Sequence, residues 1–318
     1  MSPAGPGGRA WALLILLGPI LGSSFMLTNI VMRAGEIGPL TVASMRLSFA
    51  AILLVAAARL AGARMPGLNA GGGRIWAIAA ISAALGNILP FVLISWSQRH
   101  IPSALGGVLM APMPLASLVL SHFLVRGERM NAARVIGFLV GLAGIALLIG
   151  PETLSLLAEG GDGRSLLGRL AGLAAMLCYV LNGIALKRAG PVDALGMSAA
   201  VIALAALVAL PLALWLERPD PSAIPLRSWV ATAALGLGAT AAAQIIMMRV
   251  LALAGPPFLA SVHYQVPLWA TFLGVVFLDE ALAPFFWAAL ALILAGLALA
   301  QFAARPARIR GESGFRPD

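Results

Sequence analysis

The chain has 318 residues, of which 61% are hydrophobic and only 10% are charged, and its formal net charge is +9. A soluble domain carries roughly 25% charged residues, so the composition and the mean hydropathy of +0.97 exclude an ordinary soluble protein. The basic residues fall in short breaks between apolar runs and are not interleaved with aromatic side chains, which argues against nucleic-acid binding. The sequence therefore predicts an all-α integral membrane protein whose main partner is the lipid bilayer.

Ten apolar segments are long enough to cross a membrane as helices. A crossing of roughly 30 Å of hydrocarbon takes about 20 apolar residues, and these segments are too long and too uniformly apolar to be barrel strands. The segments cover residues 10–32, 39–60, 75–98, 102–125, 133–150, 166–186, 192–216, 228–250, 257–278 and 282–303. We interpret the first as an uncleaved membrane helix, not a signal peptide, because its apolar character continues through Met32 and further spans follow.

The two halves of the chain carry related sequences. A slide of 152 residues places Gly86 on Gly238, and a slide of 154 residues places SFMLTNIVMR (24–33) on CYVLNGIALK (178–187). Each half holds five predicted spans, an odd number, so the second half enters the membrane from the opposite side. The sequence therefore predicts two inverted five-helix repeats, which in transporters usually place a substrate site near the bilayer midplane.

This repeat divides the chain into four predicted parts. They are a first five-helix repeat at 1–150, a polar glycine-rich loop at 151–165, a second five-helix repeat at 166–304 and a basic cytoplasmic tail at 305–318.

The distribution of Lys and Arg predicts the orientation in the membrane. If the N-terminus is cytoplasmic, 14 Lys and Arg residues lie inside and 6 lie outside, with Arg46 left within the second span. Loops rich in Lys and Arg stay in the cytoplasm, so both termini are predicted to be cytoplasmic. The same topology places Asp279 and Glu280 at the outer surface and Glu128 at the inner one.

Three stretches carry a family resemblance. They are LTVASMRLSFA (40–50), PMPLASLVLSHFLVRGERM (112–130) and HYQVPLWATFLGVVFLDE (263–280). Each of the last two contains a proline that is followed by apolar residues and then by an acidic turn. With ten spans in two halves, the chain resembles the ten-helix EamA type of the drug/metabolite transporter superfamily over about residues 10–303. The resemblance implies a bundle of paired inverted repeats in the cytoplasmic (inner) membrane of a bacterium, and export of amino acids or related small metabolites.

Polar side chains at helical spacing within the spans mark candidate walls of a pathway. An amide that faces lipid is costly, so each should face protein or water. There it could bind a substrate or hydrogen-bond one helix to another, and the sequence leaves both roles open. The candidates are Asn29 on the first span, Asn87 and Gln98 on the third, Tyr179 and Asn182 on the sixth, and Gln244 on the eighth.

The ninth span begins with His263, Tyr264 and Gln265, which precede Pro267. A proline in a helix frees a carbonyl one turn earlier and kinks the helix. This stretch is therefore predicted to form a gate or a binding edge, with a structural histidine bonded to a neighbouring helix as the alternative.

Arg46 is a formally charged residue inside a span, and intramembrane charge is by default a functional hypothesis. Its guanidinium could grip a substrate carboxylate or phosphate with two hydrogen bonds. The alternative is a structural arginine that extends toward the interface or bonds helix-end carbonyls.

Other chemistries find little support in the sequence. The three histidines show no paired ligand spacing, no Asp or Glu lies deep in a span, and no catalytic residue, metal site or cofactor is predicted.

Gly137, Gly141 and Gly144 share one helix face, which predicts close helix packing within the bundle or between protomers of a homodimer. We predict a secondary transporter that exports a small amphipathic metabolite by alternating access. The alternatives are a broad-specificity drug exporter, a membrane-embedded enzyme, and a scaffold or channel.

Overall fold

The computed structural model describes residues 6–302 apart from 68–71, 125–129, 159–162, 188–189 and 191. Every regular element in this described part is helical. The helices are α1 (Gly8–Ala34), α2 (Pro39–Leu60), α3 (Gly72–Gln98), α4 (Ser103–Leu124), α5 (Ala132–Ala158), α6 (Arg164–Leu186), α7 (Ala194–Leu216), α8 (Leu226–Leu259), α9 (Val262–Leu278) and α10 (Pro284–Phe302). Nine are long and apolar enough to cross a membrane, and α9 is a slightly shorter apolar helix. The ten predicted spans are therefore confirmed.

The packing of the helices follows a two-fold pattern. Helix α5 packs on α10, α2 on α7 and α4 on α9, and each pair maps onto itself when the first five helices are exchanged with the last five. Helix α1 packs on α8 and α9, just as α6 packs on α3 and α4. Because each half contains an odd number of helices, this exchange inverts the direction of every helix. The predicted inverted repeat is confirmed.

Two predicted boundaries differ from the structure. Helix α5 continues to Ala158, so the loop predicted for 151–165 is wrong over its first residues, where leucine and alanine favour a helix. Helix α8 reaches Leu259 but is broken at Gly255, whose φ of 78° and ψ of 174° are outside helical geometry. Glu128 and the predicted tail at 305–318 lie outside the described residues.

The first turns of the helices are capped in different ways. Asp193 caps α7, and its carboxylate accepts a hydrogen bond of 2.8 Å from the Gly196 N–H. Helices α2 and α4 follow Gly38 and Pro102, neither of which supplies a capping side chain. Their first N–H groups must find acceptors elsewhere.

Glycines bring α5 and α10 into backbone contact. A Cβ atom added to Gly137 would lie 2.6 Å from the carbonyl oxygen of Gly296, and one added to Gly296 would lie 2.5 Å from that of Gly137. The close packing predicted from the glycine spacing is therefore within the bundle, between α5 and α10.

Gly296→Ala should destabilise the fold, because the new methyl group meets backbone atoms that cannot rotate away. Overpacking of this kind costs roughly 1–3 kcal/mol, so the melting temperature of the purified protein in detergent should fall. Gly150→Ala on α5 is the control, since a Cβ there meets nothing within 4 Å. Equal melting temperatures for the two variants would contradict the close contact.

Candidate functional site

A cavity of about 310 Å³ lies at the centre of the helix bundle, and we call it the central cavity. Eight helices line it, and the α5–α10 pair does not. Its walls are mainly apolar, and none of the described residues that line it is an Asp or Glu. Its polar side chains are Ser24, Arg46, Asn87, Tyr179, Thr240, Gln244 and His263.

Two π-helical segments form parts of this wall. They cover Ala84–Ile88 in α3 and Leu235–Ala242 in α8, positions related by the internal repeat. The Asn87 amide donates to the Ser82 carbonyl at 3.0 Å, and the Thr240 hydroxyl donates to the Leu235 carbonyl at 2.9 Å. Both bonds span five residues and coincide at a slide of 153 residues. Short π segments inside α-helices often occur at functional sites, and these two bring polar side chains to the cavity.

Arg46 is held in the cavity wall by two contacts. Its Nε donates a hydrogen bond of 2.7 Å to the Thr240 hydroxyl, and its Cζ lies 3.9 Å from the centroid of the Phe91 ring. The residue is only 7% exposed, and among the described residues no carboxylate forms an ion pair with it. A cation over an aromatic face is stabilised by the ring quadrupole. These contacts fix the guanidinium plane while the two terminal nitrogens keep their hydrogen bonds for a ligand.

A second cavity, of about 490 Å³, adjoins the central one, and we call it the vestibule. It lies where α4, α6 and α10 end and α5 and α9 begin, and its polar lining includes Ser117, Arg134 and Lys187. Met113, Tyr179 and His263 belong to the walls of both cavities. The two cavities are therefore adjacent and share part of their walls.

Comparison with known sequences agrees with this architecture. The EamA-like transporter family matches residues 9–150 and 166–302, one match in each half. The chain belongs to the EamA-like transporter family. The resemblance predicted from the sequence is confirmed, and an EamA-like protein is a multi-pass membrane transporter of small molecules, not an enzyme.

Two individual proteins are similar over much of this EamA-like chain. The aromatic amino acid exporter YddG of Ancylobacter novellus is 32% identical over 208 residues, which cover 64% of this chain and 69% of that protein. The crystal structure of another protein matches this chain with a TM-score of 0.61 and 21% sequence identity. The match covers 93% of this chain and 98% of the chain in that crystal structure. At that identity the second match supports the fold alone.

Five of the ten residues proposed from the sequence line the central cavity of this EamA-like transporter, namely Arg46, Asn87, Tyr179, Gln244 and His263. The other five lie outside its described walls. Asn29 donates to the Gln98 side chain at 3.0 Å and to the Ile101 carbonyl at 3.2 Å, which joins α1 to the turn between α3 and α4.

The three remaining residues contact helices. Asn182 packs against Gly86, and Gln265 packs against Gly18 of α1. Tyr264 packs against the cluster of Leu115 and Leu297, between α4 and α10.

The opposite side of the membrane domain from the vestibule is closed by polar ties, and we call it the capped side. Glu280 accepts hydrogen bonds from the Ser103 and Ala104 N–H groups, the latter at 2.9 Å. Glu217 accepts from the Leu40 N–H at 3.0 Å and from the Thr41 N–H at 2.7 Å. Each carboxylate from the second half thus caps a helix of the first.

Sequence reasoning missed these ties. Glu280 was expected at the outer surface but is 8% exposed, because it sits over the first turn of α4. Arg169, near the start of α6, is 7% exposed, and its Nη1 donates to the Leu148 carbonyl at 2.8 Å. One sequence feature could have pointed to the role of Glu280: no side chain before Ser103 can cap α4, so a more distant acceptor is needed.

Glu280→Gln should lower the melting temperature, because an amide oxygen accepts more weakly than a carboxylate and the amide NH₂ faces N–H donors. Hydrogen bonds to charged groups are worth about 1.5–3 kcal/mol. Asp279→Asn is the matched control, since Asp279 is exposed and Asn tolerates its φ of 51°. If thermal unfolding in detergent shows the same loss for both variants, Glu280 does not act as a cap.

Proposed function

We propose that this EamA-like transporter exports an amino acid with a large apolar side chain, an aromatic amino acid first of all, by alternating access. The observation that carries the proposal is a buried Arg46, which forms no ion pair with the described residues, in a small and otherwise mainly apolar cavity. The name of the exporter from Ancylobacter novellus adds support for this substrate class.

Arg46 supplies recognition of the carboxylate. A guanidinium binds a carboxylate through two parallel N–H···O bonds, and such charge-assisted bonds are stronger than neutral ones. With Nε bonded to Thr240 and the plane against Phe91, the free edge of the group is its two terminal nitrogens. The fixed orientation reduces the side-chain entropy lost on binding.

The apolar walls supply recognition of the side chain. Phe25, Phe91 and Tyr179 provide aromatic surface, and Met110 and Met247 provide flexible apolar surface. Sulfur and aromatic contacts both favour aromatic rings. A volume of about 310 Å³ lies at the low end of small-molecule pockets, which run to roughly 1,000 Å³, and therefore suits one small ligand.

Export of lipophilic cationic drugs is less compatible with this cavity. A drug cation would share a low-dielectric space with the Arg46 guanidinium, and the described lining offers no carboxylate to offset the repulsion. Competition of phenylalanine transport by lipophilic cations would favour that alternative.

Arg46→Gln should weaken phenylalanine binding by roughly 10- to 100-fold, which corresponds to the loss of about 1.5–3 kcal/mol from charge-assisted hydrogen bonds. The measurement is the dissociation constant for purified protein in detergent. Arg59→Gln is the matched control, because Arg59 lies on the same helix but is exposed at its end.

Phenylalaninamide separates carboxylate binding from a general loss of fold. The wild type should prefer phenylalanine to the amide, and Arg46→Gln should remove most of that preference. An unchanged preference in Arg46→Gln, with phenylalanine still transported, would show that Arg46 is structural.

We further propose the orientation that the Lys and Arg distribution predicts, with both termini cytoplasmic in a bacterial inner membrane. The vestibule then faces the cytoplasm, where an exporter loads its substrate, and the capped side faces outward. Rocking of the two inverted halves would open the capped side and close the vestibule.

Cysteine labelling tests this orientation in the background Cys178→Ala, which removes the single cysteine of the chain. Ser117→Cys in the vestibule wall should react with a membrane-impermeant maleimide in inside-out vesicles and not in intact cells. Ser44→Cys near the capped end of α2 is the control, since Ser44 is 1% exposed and should react in neither. Labelling of Ser117→Cys from outside alone would reverse the proposed orientation.

A further inference from the structure

His263 stands at the junction of the two cavities. It lies in the first turn of α9, just after the break at Gly255, and belongs to the walls of both the vestibule and the central cavity. Its Nδ1 lies 3.0 Å from the Ala260 carbonyl. A carbonyl only accepts, so Nδ1 carries the hydrogen and the neutral ring has its lone pair on Nε2.

The Nε2 lone pair has no hydrogen-bond partner among the residues that the structure describes. A neutral imidazole nitrogen accepts either a hydrogen bond from an ammonium group or a proton, and it cannot do both. A free amino acid carries an ammonium one carbon from its carboxylate. Arg46 and His263 line the same cavity, so the ligand is placed with its carboxylate at Arg46 and its ammonium at His263.

The described surroundings of His263 contain cations and phenols but no acid. Arg46 and Tyr179 share the central cavity with it, and Arg134 and Lys187 line the vestibule. Of the helices packed against α9, α1 carries Arg9 and Arg33 near its ends and α4 carries His122 in its last turn. Without a carboxylate to neutralise it, an imidazolium here repels a bound ammonium directly.

We propose that a proton and the substrate ammonium compete for Nε2 of His263, which makes this chain a proton/amino-acid antiporter. The inference rests on the proposed function, namely that the substrate is an amino acid held at Arg46. On the vestibule side the neutral imidazole accepts a hydrogen bond from the ammonium. On the capped side, where the solution is more acidic, a proton from water binds Nε2. The zwitterion then leaves, because the imidazolium has no lone pair and its positive charge repels the ammonium.

The cycle balances in atoms and charge. The protonated carrier returns to the vestibule side, where the Nε2–H bond breaks and the proton passes to water. One proton then crosses inward for each zwitterion that crosses outward. Because the zwitterion has no net charge, each cycle moves one positive charge, so transport is electrogenic as well as dependent on the pH gradient.

Counterflow separates this inference from the proposed function. Proteoliposomes loaded with phenylalanine and diluted into labelled phenylalanine without a pH gradient need exchange alone. The wild type should show counterflow, and its absence would overturn the proposed function itself. Counterflow is measured for His263→Gln as well, so that its gradient-driven accumulation is compared with its own rate of exchange.

A pH gradient then tests the coupling. It should drive phenylalanine accumulation in the wild type and in His122→Gln, the matched control, since His122 lines neither cavity. Gradient-driven accumulation by His263→Gln, divided by the counterflow of the same variant, should be at least tenfold below the wild-type ratio. An equal ratio in His263→Gln, or wild-type accumulation that ignores the gradient, would overturn the inference.

A wild-type measurement decides the case if His263→Gln fails to fold. If one proton competes with phenylalanine, the dissociation constant rises about tenfold for each unit by which the pH falls, once the histidine is largely protonated. N-acetylphenylalanine keeps the carboxylate but has no ammonium, so its dissociation constant should stay flat or fall on acidification. Equal weakening of both ligands would show that the proton does not compete with the ammonium.

Discussion

A backbone N–H or C=O group inside a membrane has no water to bind, so every such group needs a partner within the protein. Helices α2 and α4 begin without capping side chains, and their first N–H groups bond instead to Glu217 and Glu280. These carboxylates belong to the second half of the chain and the helices they cap to the first. The requirement for hydrogen bonds therefore joins the two inverted repeats, and it does so on the capped side.

The same constraint shapes the central cavity. In each half a π segment leaves a carbonyl displaced from the regular ladder, and the side chain five residues later bonds it, Asn87 in α3 and Thr240 in α8. The scaffold is duplicated, but the chemistry that it carries has diverged. Thr240 also accepts a hydrogen bond from Arg46. Phe91, which packs on Arg46, corresponds in the second repeat to Gln244, and the Gln244 amide donates to Ser198 instead. A symmetric frame thus presents a cationic wall and an amide wall to a single ligand.

The sequence could predict the spans and their duplication because both depend on long apolar runs, and it could predict which helix faces are polar because helical periodicity is local. It could not predict the depth at which a polar residue meets a neighbour. Gln98 shares a stripe with Asn87, but 11 residues at about 1.5 Å per residue place it roughly 16 Å farther along α3, where it bonds Asn29. Tyr264 and Gln265 follow His263 in sequence, yet successive residues turn by about 100°, so they reach α10 and α1 instead of the cavity. The burial of Glu280 was not predicted because its partners are 177 and 176 residues away.

The junction of α2 and α7 carries different hydrogen bonds at its two ends, and this difference bears on the proposed transport cycle. The junction of α2 and α7 is tied on the capped side by three short bonds to Glu217, between 2.6 and 3.0 Å. Near the vestibule side, the described residues show an exposed bond of 3.3 Å from the N–H of Arg64, which follows α2, to Asp193 at the start of α7. Opening the capped side therefore needs a free-energy source, and a ligand can shift such an equilibrium only by its differential affinity for the two states. In the proposed mechanism, a ligand that bridges Arg46 of the first half and His263 of the second contacts both halves. Such a ligand has a different affinity for the two states, because its contacts change when the halves move. A ligand bound to one half alone would keep the same contacts in both states.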